Sequence, residues 1–244
     1  MGICDGCHAG CCRTFVVPLT GADILRIERS VGVSFWDFVC RWADPEGTIA
    51  KRTAPHFFFS DEPATPFVIG LLHVPSQIFT GTSKCRFLVE QQPDEQHELG
   101  VGRCAIYAQR PLVCQVFPTT FDKHGHLASI QKVPEYGSPD KHPVHRLCPR
   151  QWQPADLDPV DTPSALASLF YELRFFHTVA TVWNRNPQSW LDFPDFLRLV
   201  YSQRISPLKT TEEASEVEQS VENEDSIVSL PLASSKDKPQ TKAA

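Results

Sequence analysis

The chain has 244 residues, 41% hydrophobic and 10% aromatic, enough to bury a core as one domain or as a domain with an appendage. A net charge of -6 without a Lys/Arg run or basic stripe leaves nucleic-acid binding without electrostatic support, and no apolar run approaches the roughly 20 residues of a membrane-spanning helix. Nine cysteines are too few for a disulfide framework of this length. No secretory apolar region follows Met1 and position six is Gly6 rather than Ser or Thr, so the reading is a cytoplasmic protein with reduced thiols.

In chain order, the first feature is Cys4-Asp5-Gly6-Cys7-His8-Ala9-Gly10-Cys11-Cys12, a C-x2-C-x3-C-C pattern. A C-x2-C pair lets two thiolates converge on one ion from a tight turn, and glycine supplies the backbone freedom such a turn needs. Adjacent side chains diverge, so Cys11 and Cys12 serve different places: two sites, or one site and a disulfide or the core. Thr20 then caps a helix predicted over residues 21–30, with Ile24, Leu25, Ile27 and Val31 as its apolar stripe and Gly32 as its stop. Ser34 caps a second helix predicted over residues 35–42. Cys40 falls inside it beside Phe38, Val39 and Trp42, and reads as core.

Residues 57–59 and 67–69 are predicted to form a β-hairpin around a loose turn at 60–66, with another strand over residues 84–90 that carries Cys85. Cys104, Tyr107, Arg110 and Cys114 follow a polar loop, then a strand over 127–133 and a Pro- and His-rich loop ending in Cys148-Pro149. Apolar residues from Leu166 to Trp183 recur at three- and four-residue spacing, which predicts a helix starting at Ser164 and stopping near Pro187. A last helix is predicted from Asp192 or Pro194 to Gln203. The remaining segment carries eight acidic residues against four lysines and no aromatic residue, so it reads as a disordered acidic tail holding -4 of the net charge.

The fold class is therefore α+β: a small irregular cysteine-rich core with a short antiparallel sheet, N-terminal helices and two C-terminal helices. The expected organisation is a cysteine-cluster domain over residues 1–150, a helical extension packed on it over 151–204, and the tail over 205–244.

With Cys40 assigned to the core, eight cysteines remain: Cys4, Cys7, Cys11, Cys12, Cys85, Cys104, Cys114 and Cys148. Eight divides into two four-thiolate shells, each suited to zinc or to an iron–sulfur cluster. These residues carry a resemblance to the YkgJ-like zinc- or iron-chelating cysteine-cluster proteins. The matching features are the C-x2-C-x3-C-C run, Leu19-Thr20 leading into a helix with Asp23, Arg26 and Ile27, and Cys85-x-Phe87-Leu88. Cys104-x-Ile106-Tyr107-x2-Arg110-Pro111-x2-Cys114-x2-Phe117-Pro118 and Cys148-Pro149 complete them. The resemblance covers about residues 4–150 and departs at His8-Ala9-Gly10, where such proteins place glycine directly after the second cysteine. His8 thereby becomes a possible nitrogen donor beside the site.

Four thiolates around zinc leave a net charge of about -2, and Arg110 suits its compensation; the other reading of Arg110 is a surface arginine at a turn. Tyr107 reads as core. His124-x-His126 and His142-x2-His145 read as surface pairs, with His145 the substitute should one cysteine not be a ligand, and His177 reads as structural. Three function classes stay open: a metal-binding protein, a cluster-dependent protein-modifying enzyme of the kind the resemblance extends to in flagellin lysine methylases, and a thiol exchanger. No nucleotide or S-adenosylmethionine signature accompanies the cysteines, and the partner expected is the metal or cluster itself, with no nucleic acid and no membrane.

Overall fold

The computed structural model describes residue 4 and residues 6–50, 54–121, 128–133, 142–148 and 150–205, with the side chains of 203–205 left aside. The predicted tail beyond residue 205 lies outside the described residues, as do His124 and His126. The described residues up to Gln203 form one compact unit. The architecture is α+β, with short antiparallel sheets, helices near the N-terminus and two longer helices at the C-terminal end.

Helix α1 (Cys11–Thr14) follows the first cysteines, and α2 (Gly21–Val31) is the first full helix. Its ends agree with the sequence reading: Thr20 and Asp23 form a reciprocal capping box, and Gly32 closes it in the left-handed conformation at φ 73°. Helix α3 (Phe35–Phe38) is only one turn long. The predicted helix over 35–42 is corrected there: Val39 opens strand β1 (Val39–Ala43), which pairs antiparallel with β3 (Glu62–Leu71), so Cys40 stands in a strand opposite Gly70. Pairing overrides local helical spacing, and the β-branched Val39 helps the switch.

Strand β2 (Phe57–Phe59) pairs with the other side of β3, giving the order β1-β3-β2. The loose turn expected over 60–66 is replaced by a tight one, because β3 begins at Glu62 and Phe59 already faces it. The strand expected over 84–90 is divided. Strand β4 (His73–Pro75) pairs with β5 (Ser83–Cys85), a turn follows, and β6 (Leu88–Glu90) pairs with β7 (Gly102–Cys104). Helix α4 (Leu112–Val116) and the hairpin of β8 (Thr119–Phe121) with β9 (Ala128–Ile130) complete the middle of the chain.

Helix α5 (Asp161–Trp183) begins three residues before Ser164, which leaves Pro163 in the first turn, where its missing N–H costs nothing. It is followed by α6 (Phe193–Ile205). Both helices pack into the same core as the N-terminal elements. Phe35, Phe38, Phe57, Phe59, Phe176 and Phe193 are almost wholly buried, with Ile24, Ile27 and Leu197 around them. Hydrogen bonds fasten α5 to β2: Trp183 Nε1 donates to the Phe58 carbonyl at 2.7 Å, and the Asn184 amide receives Phe58 N and donates to the His56 carbonyl. Gly21 lets α6 lie close to α2, since a Cβ there would sit 2.3 Å from the Tyr201 ring. Among the described residues no helix is long and apolar enough to cross a membrane.

Candidate metal centre

Each thiol arrives on a different short element. Cys4 and Cys7 sit on the N-terminal loop, Cys11 and Cys12 open α1, Cys85 ends β5, Cys104 ends β7, Cys114 is on α4, and Cys148 follows a short 3-10 turn at Pro143–His145. All nine cysteines are free thiols, from exposed Cys4 to buried Cys85.

Backbone and side-chain contacts pin these pieces together. The His8 ring Nε2 meets the Arg146 carbonyl at 2.7 Å, and Thr14 Oγ1 donates to the His145 carbonyl at 2.9 Å, which seats the Cys148 segment on the N-terminal loop. Gly10 makes this approach possible, because a Cβ there would lie 1.6 Å from the Arg146 oxygen. His8 thus clamps the loop through the nitrogen that the sequence reading offers as a donor.

On the other side, Asp23 is 1% exposed and its carboxylate accepts from Leu112 N at 3.0 Å and from Arg26 at 2.6 Å. Arg26 in turn donates to the carbonyls of Gln109 and Arg110 at 2.9 and 3.2 Å. One acidic side chain of α2 therefore places both Arg110 and the start of the helix that carries Cys114. Below α1, Arg13 forms a buried ion pair with Glu90 at 2.6 Å, and Lys84 meets the same carboxylate at 2.8 Å. Burial alone would push Glu90 up, but hydrogen bonds from Lys84, Ser76 and Arg13 hold it down at about 2.

The electrostatics sort the thiols into two neighbourhoods. Although Cys4 is exposed as a residue, partial cover of its thiol and then Cys11, Cys7 and Cys148 push it up to about 11, with Arg110 pulling the other way. Burial raises Cys7 as well, against N–H groups of Ala9 and Gly10, and Cys11 and Cys148 add to the rise. The second neighbourhood is deeper. Burial pushes Cys85 up to about 11, followed by Cys104 and Cys11, and Cys114 rises through burial and then Cys85, Cys11 and Cys104. Cys104 rises through burial, opposed by the Ile106 N–H and by Arg110.

Cys11 bears on both neighbourhoods, and its own thiol is raised first by a hydrogen bond with Cys12 and then by burial. Cys12 leans toward the core that contains Cys85, as do Cys104 and Cys114. The structure thus brings all eight thiols to one region. Cys40 stands apart in β1, half-buried, its Sγ against its neighbour's carbonyl.

Several sulfurs already receive N–H donors, as metal-bound thiolates do. Ala9 N donates to Cys7 Sγ at 3.4 Å, Phe87 and Leu88 N–H groups face Cys85, and Trp152 Nε1 donates to Cys148 Sγ at 3.3 Å. Soft donors, N–H support and mutual proximity all suit a thiophilic cation. Among the described residues, no three His, Cys, Asp or Glu side chains already stand in a geometry that could hold a metal ion. Closing a shell therefore requires the thiols to lose their protons and draw together.

Arg110 lies 4.3 Å over the Tyr107 ring and lowers Cys4 and Cys104. Tyr107, expected in the core, is 62% exposed and is the platform for that guanidinium. His142 packs on Phe79 and accepts from Val144 N. His177 lines a groove of about 460 Å³ with His56 and Glu46, and none of the eight cysteines borders it. The spacing of charges in the sequence carries no sign of the Asp23–Leu112 contact or of the close approach at Gly10, both of which join segments far apart in the chain.

No curated protein and no solved structure matches this chain. Residues 3–139, more than half of its length, match the family model CxxCxxCC, described as "Putative zinc- or iron-chelating domain", and the chain belongs to that family.

Proposed function

We propose that Cys4, Cys7, Cys11, Cys12, Cys85, Cys104, Cys114 and Cys148 together hold zinc or an iron–sulfur cluster, in two groups, within a reducing cytoplasmic environment. The outer group is Cys4, Cys7, Cys11 and Cys148, and the inner group is Cys12, Cys85, Cys104 and Cys114. One observation carries this reading: Cys11 bears electrostatically on thiols delivered by the N-terminal loop, two hairpins, α4 and the Cys148 segment.

Each group would gather a negative charge when loaded, and Arg110 is placed to offset it between Cys4 and Cys104. Bound zinc would cross-link these loops, and an iron–sulfur cluster would add one-electron chemistry. Exchange chemistry has less support, because an attacking thiol needs a lowered pKa and these thiols are raised.

Metal analysis of protein purified without oxygen tests the proposal. Zinc in a colourless preparation, or iron and sulfide in a brown one absorbing near about 400 nm, is the expected result. Less than one metal ion per chain under both zinc-rich and iron-rich growth would overturn it. Cys4→Ala and Cys114→Ala should each lower the bound metal.

A further inference from the structure

Among the described residues, few buried polar atoms lack a hydrogen-bond partner, and one of them is on the strand that pairs with the Cys85 strand. His73 Nε2 is buried and makes no hydrogen bond. Leaving such an atom unpaired is costly, so its partner matters.

The β4–β5 register sets His73 directly opposite Cys85. Arg86 N donates to the Leu72 carbonyl and Ser76 N to the Thr82 carbonyl, both at 2.9 Å, which makes the flanking pairs the hydrogen-bonded ones. His73 and Cys85 are then a non-hydrogen-bonded pair. In such pairs the side chains share a face and come closest, with Cβ atoms about 4.5–5.5 Å apart. Helix α1 packs on β5, the carbonyl of Phe15 just beyond α1 lies beside the His73 ring, and the ring meets Trp42 edge-on at 5.3 Å between centroids. With its proton on Nδ1, the ring would offer the Nε2 lone pair to a cation, and a backbone carbonyl such as that of Phe15 is the kind of group that orients a metal-binding imidazole.

We infer that His73 Nε2 is the fourth donor of the inner group, with Cys85, Cys104 and Cys114, in a three-thiolate, one-imidazole site for a divalent thiophilic cation. The inference rests on the two-group reading above and replaces Cys12 in its inner set. Cys12, packed against the core beside Cys85, then lies outside both ligand sets. The inner centre carries one negative charge fewer than an all-thiolate one, which suits its deeper burial, where excess charge is most costly.

Cadmium-113 resonance on the metal-free full-length chain, loaded without oxygen and with nitrogen-15 histidine, tests this. Two cadmium signals are expected. One is all-thiolate; the other lies upfield and is split by coupling to a single histidine nitrogen. His73→Gln should abolish the splitting and move only that signal, and His73→Cys should retain cadmium while moving it downfield. His56→Gln, whose ring is bonded to Asp44 instead, should change neither. Two signals without nitrogen coupling in the unaltered protein, or a splitting that survives His73→Gln, would overturn the inference and leave two metal groups standing. No bound cadmium would overturn the two-group reading as well.

Discussion

The aromatic side of the molecule and the thiol side are held by different physics. On the aromatic side, Phe35, Phe57, Phe59, Phe193, Trp183 and Trp190 meet ring to ring at centroid distances from 5.0 to 6.4 Å. Each buried ring of this kind contributes about 1.5–3 kcal/mol through area alone, and needs no ligand to do so. The thiol side is built from elements of three to five residues: β5, β6 and β7 have three each, α1 four and α4 five. Pieces that short are not stable by themselves. They are held by Cys85, Leu88 and Ile106 at the edge of the shared core, by α4 against α5, and by a few long-range bonds such as His8 to Arg146 and Asp23 to Leu112, in a family described as zinc- or iron-chelating. One side is finished by packing; the other is prepared for a cation to finish it.

That contrast predicts an unequal response to metal removal, the largest effect expected. Chelation should speed amide exchange through residues 83–121 and the Cys148 segment while β2, β3 and α5 stay protected, because ligand coordination is also folding energy. Exchange that rises everywhere alike would show that the two sides are not separable. The reverse experiment is Phe193→Ala, which removes the ring shared by most of those aromatic contacts. Its cost should be about 3–5 kcal/mol in denaturant unfolding, with metal content unchanged in the folded fraction. Metal lost in proportion to stability would collapse the distinction.

How much of this was legible in sequence differs between the sides as well. Helix α2 was readable to within a residue, because Thr20, Asp23 and Gly32 are local signals for local structure. The cysteine pattern was equally readable, since C-x2-C spacing is itself the chemistry. The helix expected over 35–42 gives way at Val39 because β1 exists only through pairing with β3, and beyond the β-branched Val39 nothing in residues 35–42 announces that partner. Tyr107 was misplaced because an aromatic ring near cysteines looks like core, whereas here it serves as a surface platform for Arg110. His73 had no signal at all: its position depends on which residue the β4–β5 register sets across from Cys85.

Two smaller tests sharpen the comparison on the thiol side. Gly10→Ala should displace the Arg146 carbonyl and with it Cys148, lowering affinity at the outer group more than overall stability. Chelator competition would show this as faster metal release at an unchanged unfolding midpoint of the metal-free chain; equal release rates would mean that the 142–148 segment is seated by other contacts. Acid should act on Glu90. Its folded pKa of about 2 lies below the ordinary carboxylate value of about 4.3, so its stabilisation is present above the latter and disappears as pH falls through the former. Glu90→Gln should flatten the stability curve of the metal-free protein between those values, and an unchanged slope would place the acid response elsewhere.

The smallest expected effect belongs to Cys40, the thiol outside the proposed ligand set. It lies in β1 across from Gly70, which has no side chain to pack on it, and its thiol is half-buried and raised by burial. Buried free cysteine behaves as a small apolar residue, so Cys40→Ala should cost about 1 kcal/mol or less. Metal stoichiometry should not change, in contrast with Cys114→Ala, where a sulfur among three coupled thiols is lost. Parallel metal titrations of the two variants without oxygen decide the matter. If Cys40→Ala loses metal and Cys114→Ala keeps it, β1 must swing its thiol toward the other eight on loading. The division between a side that packs and a side that chelates would then run through the sheet itself.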